Sequence, residues 1–362
     1  MNITQIIEAS REKRASDIHI VCGLPVRIRV DGELVNFDEM VLSHEDCEAY
    51  ARELLGEGYK EIGKIGETDF ATTFTDGIRC RINVYRQQRS VSAAIRILSS
   101  KIPELENLGL PPVVPGFADF SRGIVIVTGE TGSGKSTTLA ALIDRINHTR
   151  RQHIITLEDP IEYIYTPDRC TVNQREIGVD TRSYETGLKA VLREDPDIIL
   201  IGEMRSLDTI ETALQAAETG HLVFATLHTN SAPNTIDRIV NVFPGEKQQQ
   251  IRLQLSMTLQ AVIAQQLLPR RNGGGRALAC EVMKTNSAIR NLIREAKTPQ
   301  IANALATSGA EGNITMDNSL AALVNKGVIS AETAVSAAHD TDYVRGALGI
   351  RPNYKNDRMM IR

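Results

Sequence analysis

The sequence predicts an α/β protein with a mixed α+β N-terminal part, a central part built on a mostly parallel sheet, and a helical C-terminal part. Three observations support this prediction. Four wholly apolar runs alternate with helical patterns in the central part, a glycine-rich loop follows the first run, and four of the 13 prolines cluster before it. Continuous apolar runs are typical of parallel strands that are covered on both faces. The length of 362 residues allows two or three domains.

The N-terminal part, residues 1–100, has the pattern of helices and several strands. One face of the first helix carries Ile3, Ile6, Ile7 and Ser10. Ser43 is expected to cap a second helix, because acidic residues follow it. Strands are expected over residues 17–21, 26–30, 70–75, 79–85 and 91–98, with turns at Asp31-Gly32 and Asp76-Gly77.

A proline-rich segment separates the N-terminal part from the rest of the chain. Segment Lys101–Pro115 is predicted to be a linker because proline cannot continue a helix or a central strand. The central part, residues 116–270, contains the four apolar runs Ile124–Val127, Ile154–Leu157, Ile198–Ile201 and Leu222–Leu227. Residues 271–362 are expected to form a hairpin with its tip at Gly273–Gly275, one more strand over Leu278–Met283, a helical subdomain, and a frayed tail over Asn353–Arg362.

Composition argues against several classes of protein. Lys and Arg total 41 and Asp and Glu total 45, so the formal net charge is −4, and aromatic residues make up 4% with no Trp. A protein that binds the nucleic-acid phosphate backbone usually has a basic surface, and one that stacks on bases needs aromatic side chains. No direct nucleic-acid partner is therefore expected. No apolar run approaches the roughly 18 residues of a transmembrane segment, and the N-terminus has no signal-peptide stretch. Five dispersed cysteines form no CxxC pair, which favours reduced thiols.

Residues Gly129–Ser136 match the phosphate-binding pattern GxxxxGK[ST], between a predicted strand and a predicted helix. The glycines allow backbone N–H groups to surround phosphates at a helix N-terminus. Lys135 is expected to reach the β- and γ-phosphates, and the Ser136 hydroxyl to ligate Mg²⁺ directly. ATP and Mg²⁺ are therefore the expected ligands. The predicted nucleotide-binding residues are Glu130, Thr131, Gly132, Ser133, Gly134, Lys135, Ser136 and Thr137.

Three further polar residues follow the other apolar runs, at the edge where open parallel sheets bind ligands. Glu203 is expected to orient or deprotonate an attacking water. Glu158 and Glu203 are both expected to hold Mg²⁺ through water. His228 is expected to donate a hydrogen bond to the γ-phosphate. Structural alternatives stay open: a solvated carboxylate for Glu203, an acidic turn closed by Pro160 for Glu158, and a hydrogen-bonded structural histidine for His228.

These motifs resemble those of the type IV pilus retraction ATPases, the PilT-like branch of the type II/IV secretion ATPase superfamily. The resemblance covers nearly the whole chain and rests on Ala15–His19, Leu108–Pro111, Gly129–Ser136, Glu158–Glu162, Asn173–Glu176, Leu192–Arg205, Gly220–Thr229 and Ala288–Glu295. It implies a PAS-like domain over residues 1–100, a RecA-like ATPase core over residues 116–270, and assembly into a homohexamer.

The resemblance also implies a function: a cytoplasmic motor that hydrolyses ATP to drive pilus retraction in twitching motility. Such a motor docks at the inner face of the cytoplasmic membrane on an inner-membrane platform protein and the pilus machinery. Two alternatives remain. A pilus assembly or type II secretion ATPase usually carries a four-cysteine zinc insert, which the dispersed cysteines do not match. A nucleotide-gated binding protein would not need Glu203. A DNA-translocating motor is disfavoured by the net charge of −4.

Two arginines of the N-terminal part match the family's RxRxN pattern over Arg79–Asn83. The resemblance implies that basic residues of this domain approach the nucleotide. Because side chains alternate along a strand, Arg79 and Arg81 should share one face, where two guanidiniums can clamp a phosphate. We expect them to complete the site of a neighbouring subunit; the alternative is a solvated face paired to acids. Ser206 and Tyr85 depart from the family pattern, where Asp and Phe are usual.

The segment Ala288–Glu295 resembles the C-terminal motif of the retraction branch. Its apolar spacing predicts a helix. Arg290 and Arg294 should share a face that engages a neighbouring subunit or the platform protein, with core packing as the alternative.

Overall fold

A computed structural model describes residues 1–74, 77–98 and 101–350 of the chain. These residues form two compact units. Unit 1 comprises residues 1–102 together with residues 160–164, and unit 2 comprises residues 103–159 and the chain from residue 165 onward. The predicted turn residue Asp76 and the predicted tail Asn353–Arg362 lie outside the described residues.

The described residues of unit 1 form a six-stranded antiparallel sheet with three α-helices. Its elements are α1 (Ile3–Glu12), β1 (Asp17–Ile20), β2 (Pro25–Val30), β3 (Glu33–Val41), α2 (His44–Leu55), α3 (Tyr59–Ile65), β4 (Glu67–Thr73), β5 (Arg79–Gln87) and β6 (Ser90–Ile97). The strand order is β3-β2-β1-β6-β5-β4. The predicted α+β character of this part is confirmed.

Local sequence accounts for the elements of unit 1. The buried residues of α1 are the four that were predicted to share its face, and its N-cap Asn2 forms a capping box with Gln5. The turn between β2 and β3 has positive φ at both Asp31 and Gly32, 50° and 92°, which matches the right-handed twist of a hairpin. Ser43 caps α2 through the Asp46 N–H, as its position predicted.

Unit 2 contains a seven-stranded sheet and ten helices among its described residues. Its elements are β7 (Gly123–Thr128), α4 (Lys135–Thr149), β8 (His153–Glu158), β9 (Thr171–Glu176), α5 (Tyr184–Val191), β10 (Ile198–Ile201), α6 (Leu207–Glu218), β11 (Leu222–Leu227), α7 (Ala232–Asn241), α8 (Gly245–Thr258), β12 (Leu259–Pro269), β13 (Arg276–Lys284), α9 (Ser287–Arg294), α10 (Ile301–Thr307), α11 (Met316–Asn325), α12 (Ala331–Ala337) and α13 (Thr341–Ala347). The order is β13-β12-β7-β11-β10-β8-β9, and only the β12–β13 pair is antiparallel. The predicted mostly parallel sheet is therefore confirmed, and its central strands are fully buried.

Two strands of unit 2 were not predicted from the sequence. β12 pairs in parallel with β7, but it follows α8 directly at Leu259, so no glycine or proline marks the change from helix to strand. β9 lies at the sheet edge beside β8, and it alternates polar and half-buried residues instead of forming an apolar run. β9 lacks the apolar run of the other parallel strands, whereas β12 contains a short one, Ala261–Ala264, that directly continues the pattern of a helix.

The predicted linker Lys101–Pro115 is not an extended spacer from Leu105 onward. Leu105 and Val114 are buried, at 4% and 0% exposure, within short 3₁₀ turns of unit 2. Proline limits a long helix but is compatible with such turns, so apolar residues between the prolines still pack. At the other end, the expected boundary between residues 270 and 271 falls in the β12–β13 turn, and both strands belong to one sheet.

Helices α11 to α13 form the predicted helical C-terminal region and pack on β13. Their shared cluster contains Ala277 and Ala279 of β13 with Met316, Leu320 and Val344. All five cysteines are free, consistent with the prediction of thiols. None of the described helices has the length and apolar character needed to cross a bilayer.

Candidate functional site

The polar residues predicted to act together follow strands that are neighbours in the sheet. β7, β11, β10 and β8 lie side by side and run parallel. Their carboxyl ends therefore meet at one edge, where Gly129, His228 and Gly202-Glu203 follow β7, β11 and β10, and Glu158 is the last residue of β8. This is the edge at which open parallel sheets bind ligands.

The glycine-rich loop closes tightly on itself after β7. Gly129 has φ +139°, and a Cβ there would lie 2.4 Å from the Gln265 carbonyl oxygen and 2.6 Å from Ser133 Oγ. Only glycine fits this position. Lys135 begins α4, and its Nζ donates to the carbonyls of Gly129 at 2.8 Å and Glu130 at 2.9 Å. The ammonium of Lys135 is thus held inside the loop.

The remaining loop residues differ in exposure. Glu130, Thr131, Gly132 and Ser136 are exposed, Gly134 and Thr137 are half-buried, and Ser133 is buried. Gly134 is the N-cap of α4 and offers no side chain to its first N–H groups. Backbone N–H groups at such a helix start bind anions well.

The donor set fits a magnesium ion that is held mainly by phosphate and water. The Ser136 hydroxyl lies exposed in the first turn of α4, and Mg²⁺ commonly takes one or two protein oxygens with phosphate oxygens and water. Within the described parts of the chain, no group of three or more His, Cys, Asp or Glu side chains could hold a metal by itself. A cage made only of protein ligands is therefore not the arrangement here.

Glu203 lies between an arginine and a histidine. Arg205 Nε donates to Glu203 Oε1 at 2.6 Å, and Arg205 Nη2 donates to Oε2 at 2.7 Å. His228 Nε2 lies 3.2 Å from Oε1 of the same carboxylate. Burial pushes the pKa of Glu203 up, but the hydrogen bonds and charges of Arg205 and His228 outweigh burial and hold that pKa below its ordinary value. Glu203 is therefore ionised over the physiological pH range.

Glu158 is fixed by its own strand and by β9. Its Oε1 accepts from Thr156 Oγ1 at 2.7 Å and from Gln174 Nε2 at 3.2 Å. Beside it, a Cβ on Gly202 would lie 3.3 Å from Glu158 Cα and 2.8 Å from the Tyr184 hydroxyl. Burial raises the pKa of Tyr184, and the carboxylates of Asp159, Glu158 and Glu203 raise it further. The acidic residues that follow β8 and β10 thus lie close together.

Arg79 and Arg81 belong to unit 1, whereas the loop, Glu158, Glu203 and His228 belong to unit 2. The alternating burial of β5 places both arginines on the face opposite the core, as predicted. Arg79 Nε donates to the Ile161 carbonyl at 2.7 Å, and Arg81 Nη2 donates to Asp69 Oδ2 at 2.5 Å. Both guanidiniums therefore have partners within unit 1.

The helix predicted around Ala288–Glu295 is present as α9, and one of its arginines is hydrogen-bonded within unit 2. Arg290 Nη1 donates to the carbonyls of Ser256 at 2.6 Å and Met257 at 3.1 Å, at the end of α8. These bonds match the alternative of packing within the chain for Arg290, and the engagement of a partner by Arg290 and Arg294 stays a prediction. Terminal helix carbonyls lack partners within their own helix and favour a cation. Arg294 remains exposed.

Two residues that sequence reasoning left open have definite roles in the structure. Arg205 clamps Glu203, and Ser206 is the N-cap of α6, accepting from the Thr209 N–H at 3.3 Å. Serine and aspartate are both favoured N-caps, so the departure at Ser206 keeps the same local function. The Arg205 pair had only a weak sequence signal, the two-residue spacing of opposite charges.

Comparisons with known proteins show the family and the fold. A family model described as "Type II/IV secretion system protein" matches residues 1–337. The "Type IV pilus retractation ATPase PilT" of Pseudomonas aeruginosa is 47% identical over 335 residues, which cover 92% of this chain and 97% of that protein. The "Twitching motility protein" of Neisseria gonorrhoeae is 43% identical over 322 residues, covering 89% and 86%. A crystal structure of the pilus retraction motor PilT with bound ADP matches with a TM-score of 0.88 and 45% identity, covering 95% and 98%.

Proposed function

The chain belongs to the type II/IV secretion system protein family, and from this premise we propose that it is a Mg²⁺-dependent ATPase motor that drives retraction of a type IV pilus. The observation that carries the proposal is the closed glycine-rich loop with Lys135 inside it, beside the Glu203–His228 pair. The loop supplies phosphate binding, and Glu203 supplies a carboxylate suited to activate water. The names of the two relatives and of the solved structure support retraction as the direction of work.

In the proposed mechanism the loop binds and orients the nucleotide. Backbone N–H groups of residues 130–137 surround the phosphates at the start of α4. Lys135 exchanges its bonds to the Gly129 and Glu130 carbonyls for phosphate oxygens. The Ser136 hydroxyl would hold Mg²⁺, with Glu158 acting through water. The metal supplies charge neutralisation on the transferring phosphoryl group.

Glu203 acts as the base in this proposal. Its lowered pKa keeps it ionised, so it accepts a hydrogen bond and then the proton of the attacking water. Arg205 donates one hydrogen bond to each oxygen of Glu203, and each carboxylate oxygen has a second lone pair, so Oε2 keeps the capacity to accept from the attacking water. His228 shares Oε1 with Arg205, and in this proposal it donates to the γ-phosphate from the same side.

We further propose a homohexamer that lies at the inner face of the cytoplasmic membrane, docked on the platform protein and the pilus machinery. The residues 1–100, the linker 101–115, the RecA-like core 116–270 and the C-terminal region 271–362 are the working parts of this motor. Arg79 and Arg81 are proposed to complete the nucleotide site of a neighbouring subunit, where an arginine supplied in trans stabilises transition-state charge.

Two measurements test the proposed function. Cells that lack this protein should carry excess surface pili, and the purified protein should hydrolyse ATP only when Mg²⁺ is present. Bald cells would instead indicate a pilus assembly motor, and unchanged pili with impaired protein export would indicate a secretion ATPase. ATP binding without turnover would indicate a nucleotide-gated binding protein, and turnover that depends on added DNA would indicate a DNA-translocating motor.

A further inference from the structure

Hydroxyl groups tie the end of β11 to the strand on each side of it. Toward β10, the Thr226 hydroxyl donates to the Gly202 carbonyl. Toward β7, the Thr229 N–H donates to Thr128 Oγ1 at 2.8 Å, and the two threonine hydroxyl oxygens lie 2.7 Å apart. The backbone pairing of β7 with β11 ends at Thr128 and Leu227. The Thr128 side chain therefore extends the connection beyond the last backbone pair.

The Thr229 hydroxyl lies between the hydroxyls of Thr128 and Thr235. The Thr235 hydroxyl donates its single proton to the Ser231 carbonyl at 2.8 Å. The 2.6 Å contact between the Thr229 and Thr235 hydroxyls must then use the proton of Thr229. The Thr128 hydroxyl also has a single proton, and the Thr229 carbonyl at 2.6 Å and the Leu227 carbonyl at 3.1 Å are both acceptors within its reach. Thr128 and Thr235 are fully buried, so water does not compete for these bonds.

The residue held between the two ties is His228. It precedes Thr229 in the chain, and its Nε2 lies 3.2 Å from Glu203 Oε1. Thr128 in turn immediately precedes Gly129, where the glycine-rich loop begins. We propose that Thr128 is a positioning residue which, through Thr229, fixes His228 against Glu203 and in register with the loop. The kinetic consequence of this proposal rests on the proposed ATPase function.

Replacement of Thr128 by valine isolates the hydroxyl. Thr128→Val keeps the shape of the side chain and leaves the Thr229 N–H without its acceptor. We expect kcat for ATP to fall about 10- to 100-fold while KM stays constant, a smaller loss than the ~10²–10⁴-fold of a proton-transfer group itself because Thr128 acts only through His228. Thr128→Ser should restore most of the rate. Thr258→Val is the matched control, because Thr258 is also buried and its hydroxyl bonds only the Gln254 carbonyl in α8.

A double-variant cycle distinguishes positioning of His228 from a general structural role. In a His228→Ala background, Thr128→Val should cause no further loss of kcat, because the residue that Thr128 positions is already absent. An equal fold-loss in both backgrounds would overturn the proposal. So would a rise in KM with kcat preserved, since that pattern reports nucleotide binding instead.

A second readout does not require turnover. The imidazole resonances of His228, assigned with His228→Ala, should shift when Glu203→Gln is introduced into the otherwise unmodified protein. The same change should shift them much less in Thr128→Val protein, and an equal shift in both would overturn the proposal. If the unmodified protein fails to hydrolyse ATP, the proposed function fails, whereas this comparison still decides the role of Thr128.

Discussion

Arg205 holds both carboxylate oxygens of Glu203, through its Nε at 2.6 Å and its Nη2 at 2.7 Å. The side chain of Arg205 is 73% exposed, whereas that of Glu203 is 18% exposed. The carboxylate is therefore the fixed partner, and the guanidinium is the partner that can move into solvent. Since His228 contacts the same carboxylate, departure of Arg205 leaves Glu203 oriented by His228 and free to accept from water.

The Arg205 clamp predicts a change in pH dependence. Arg205→Gln removes the hydrogen bonds and charge that hold the pKa of Glu203 low, and burial, which pushes that pKa up, remains. Glu203 then becomes protonated at a higher pH than before. We expect the acidic limb of the kcat/KM profile to move to higher pH, measured by ATP turnover across the acid range. Arg271→Ala, at an exposed arginine of the β12–β13 turn, should leave the profile unchanged.

Lys135→Ala should abolish hydrolysis and sharply weaken ATP binding. The ammonium inside the loop contributes several kcal/mol to a transferring phosphoryl group in a water-excluded site. Turnover and titration with a fluorescent ATP analogue measure the two effects. Lys284→Ala, at an exposed lysine on β13, is the control. Near-normal turnover of the Lys135 variant would contradict the assignment of the loop.

Glu203→Gln should bind ATP with Mg²⁺ but hydrolyse it about 10²–10⁴-fold more slowly, because the amide keeps the shape and cannot accept a proton. Glu158→Gln should lose less, since Glu158 is already engaged by Thr156 and Gln174 and acts through water. Single-turnover hydrolysis by both variants measures which substitution causes the larger loss of rate. A larger loss for Glu158→Gln would make Glu158 the base.

Substitutions of the two arginines of α9 should affect different properties, stability for Arg290 and pilus retraction for Arg294. Arg290→Ala removes the hydrogen bonds to the Ser256 and Met257 carbonyls and should lower the free energy of unfolding by about 1–3 kcal/mol. Arg294→Ala, on the exposed side, should keep stability and ATP hydrolysis while impairing pilus retraction. Thermal unfolding, turnover and a twitching assay measure these effects. Loss of turnover in a folded Arg294 variant would count against a coupling role.

Subunit mixing tests whether Arg79 and Arg81 act in trans. Chains with Arg79→Ala and Arg81→Ala retain an intact loop, and Lys135→Ala chains retain intact arginines. Each chain alone should be nearly inactive, and mixed assemblies should regain partial turnover because some intact loops then face intact arginines. Arg81→Lys should also be impaired, since lysine cannot reproduce a bidentate contact. No recovery despite co-assembly would favour a role within unit 1, where Arg81 already pairs with Asp69.

The sequence by itself determined the features that depend on local pattern. The apolar runs located four central strands, and GxxxxGK[ST] located the loop that Gly129 and Lys135 close. The positions of Glu158, Glu203 and His228 after those strands followed from the same pattern, because parallel strands end at one edge.

Only the tertiary structure decided which side chains pair. The bonds of Arg290 to the end of α8 and of Thr128 to Thr229 join segments that are remote in the chain, so no local period reports them. β12 is likewise defined by its pairing with β7, and Val114 in the proline-rich segment is buried by the unit it packs into. Local propensity determines where an element can form. Burial and pairing across the fold determine which polar groups find hydrogen-bond partners and which residues those partners are.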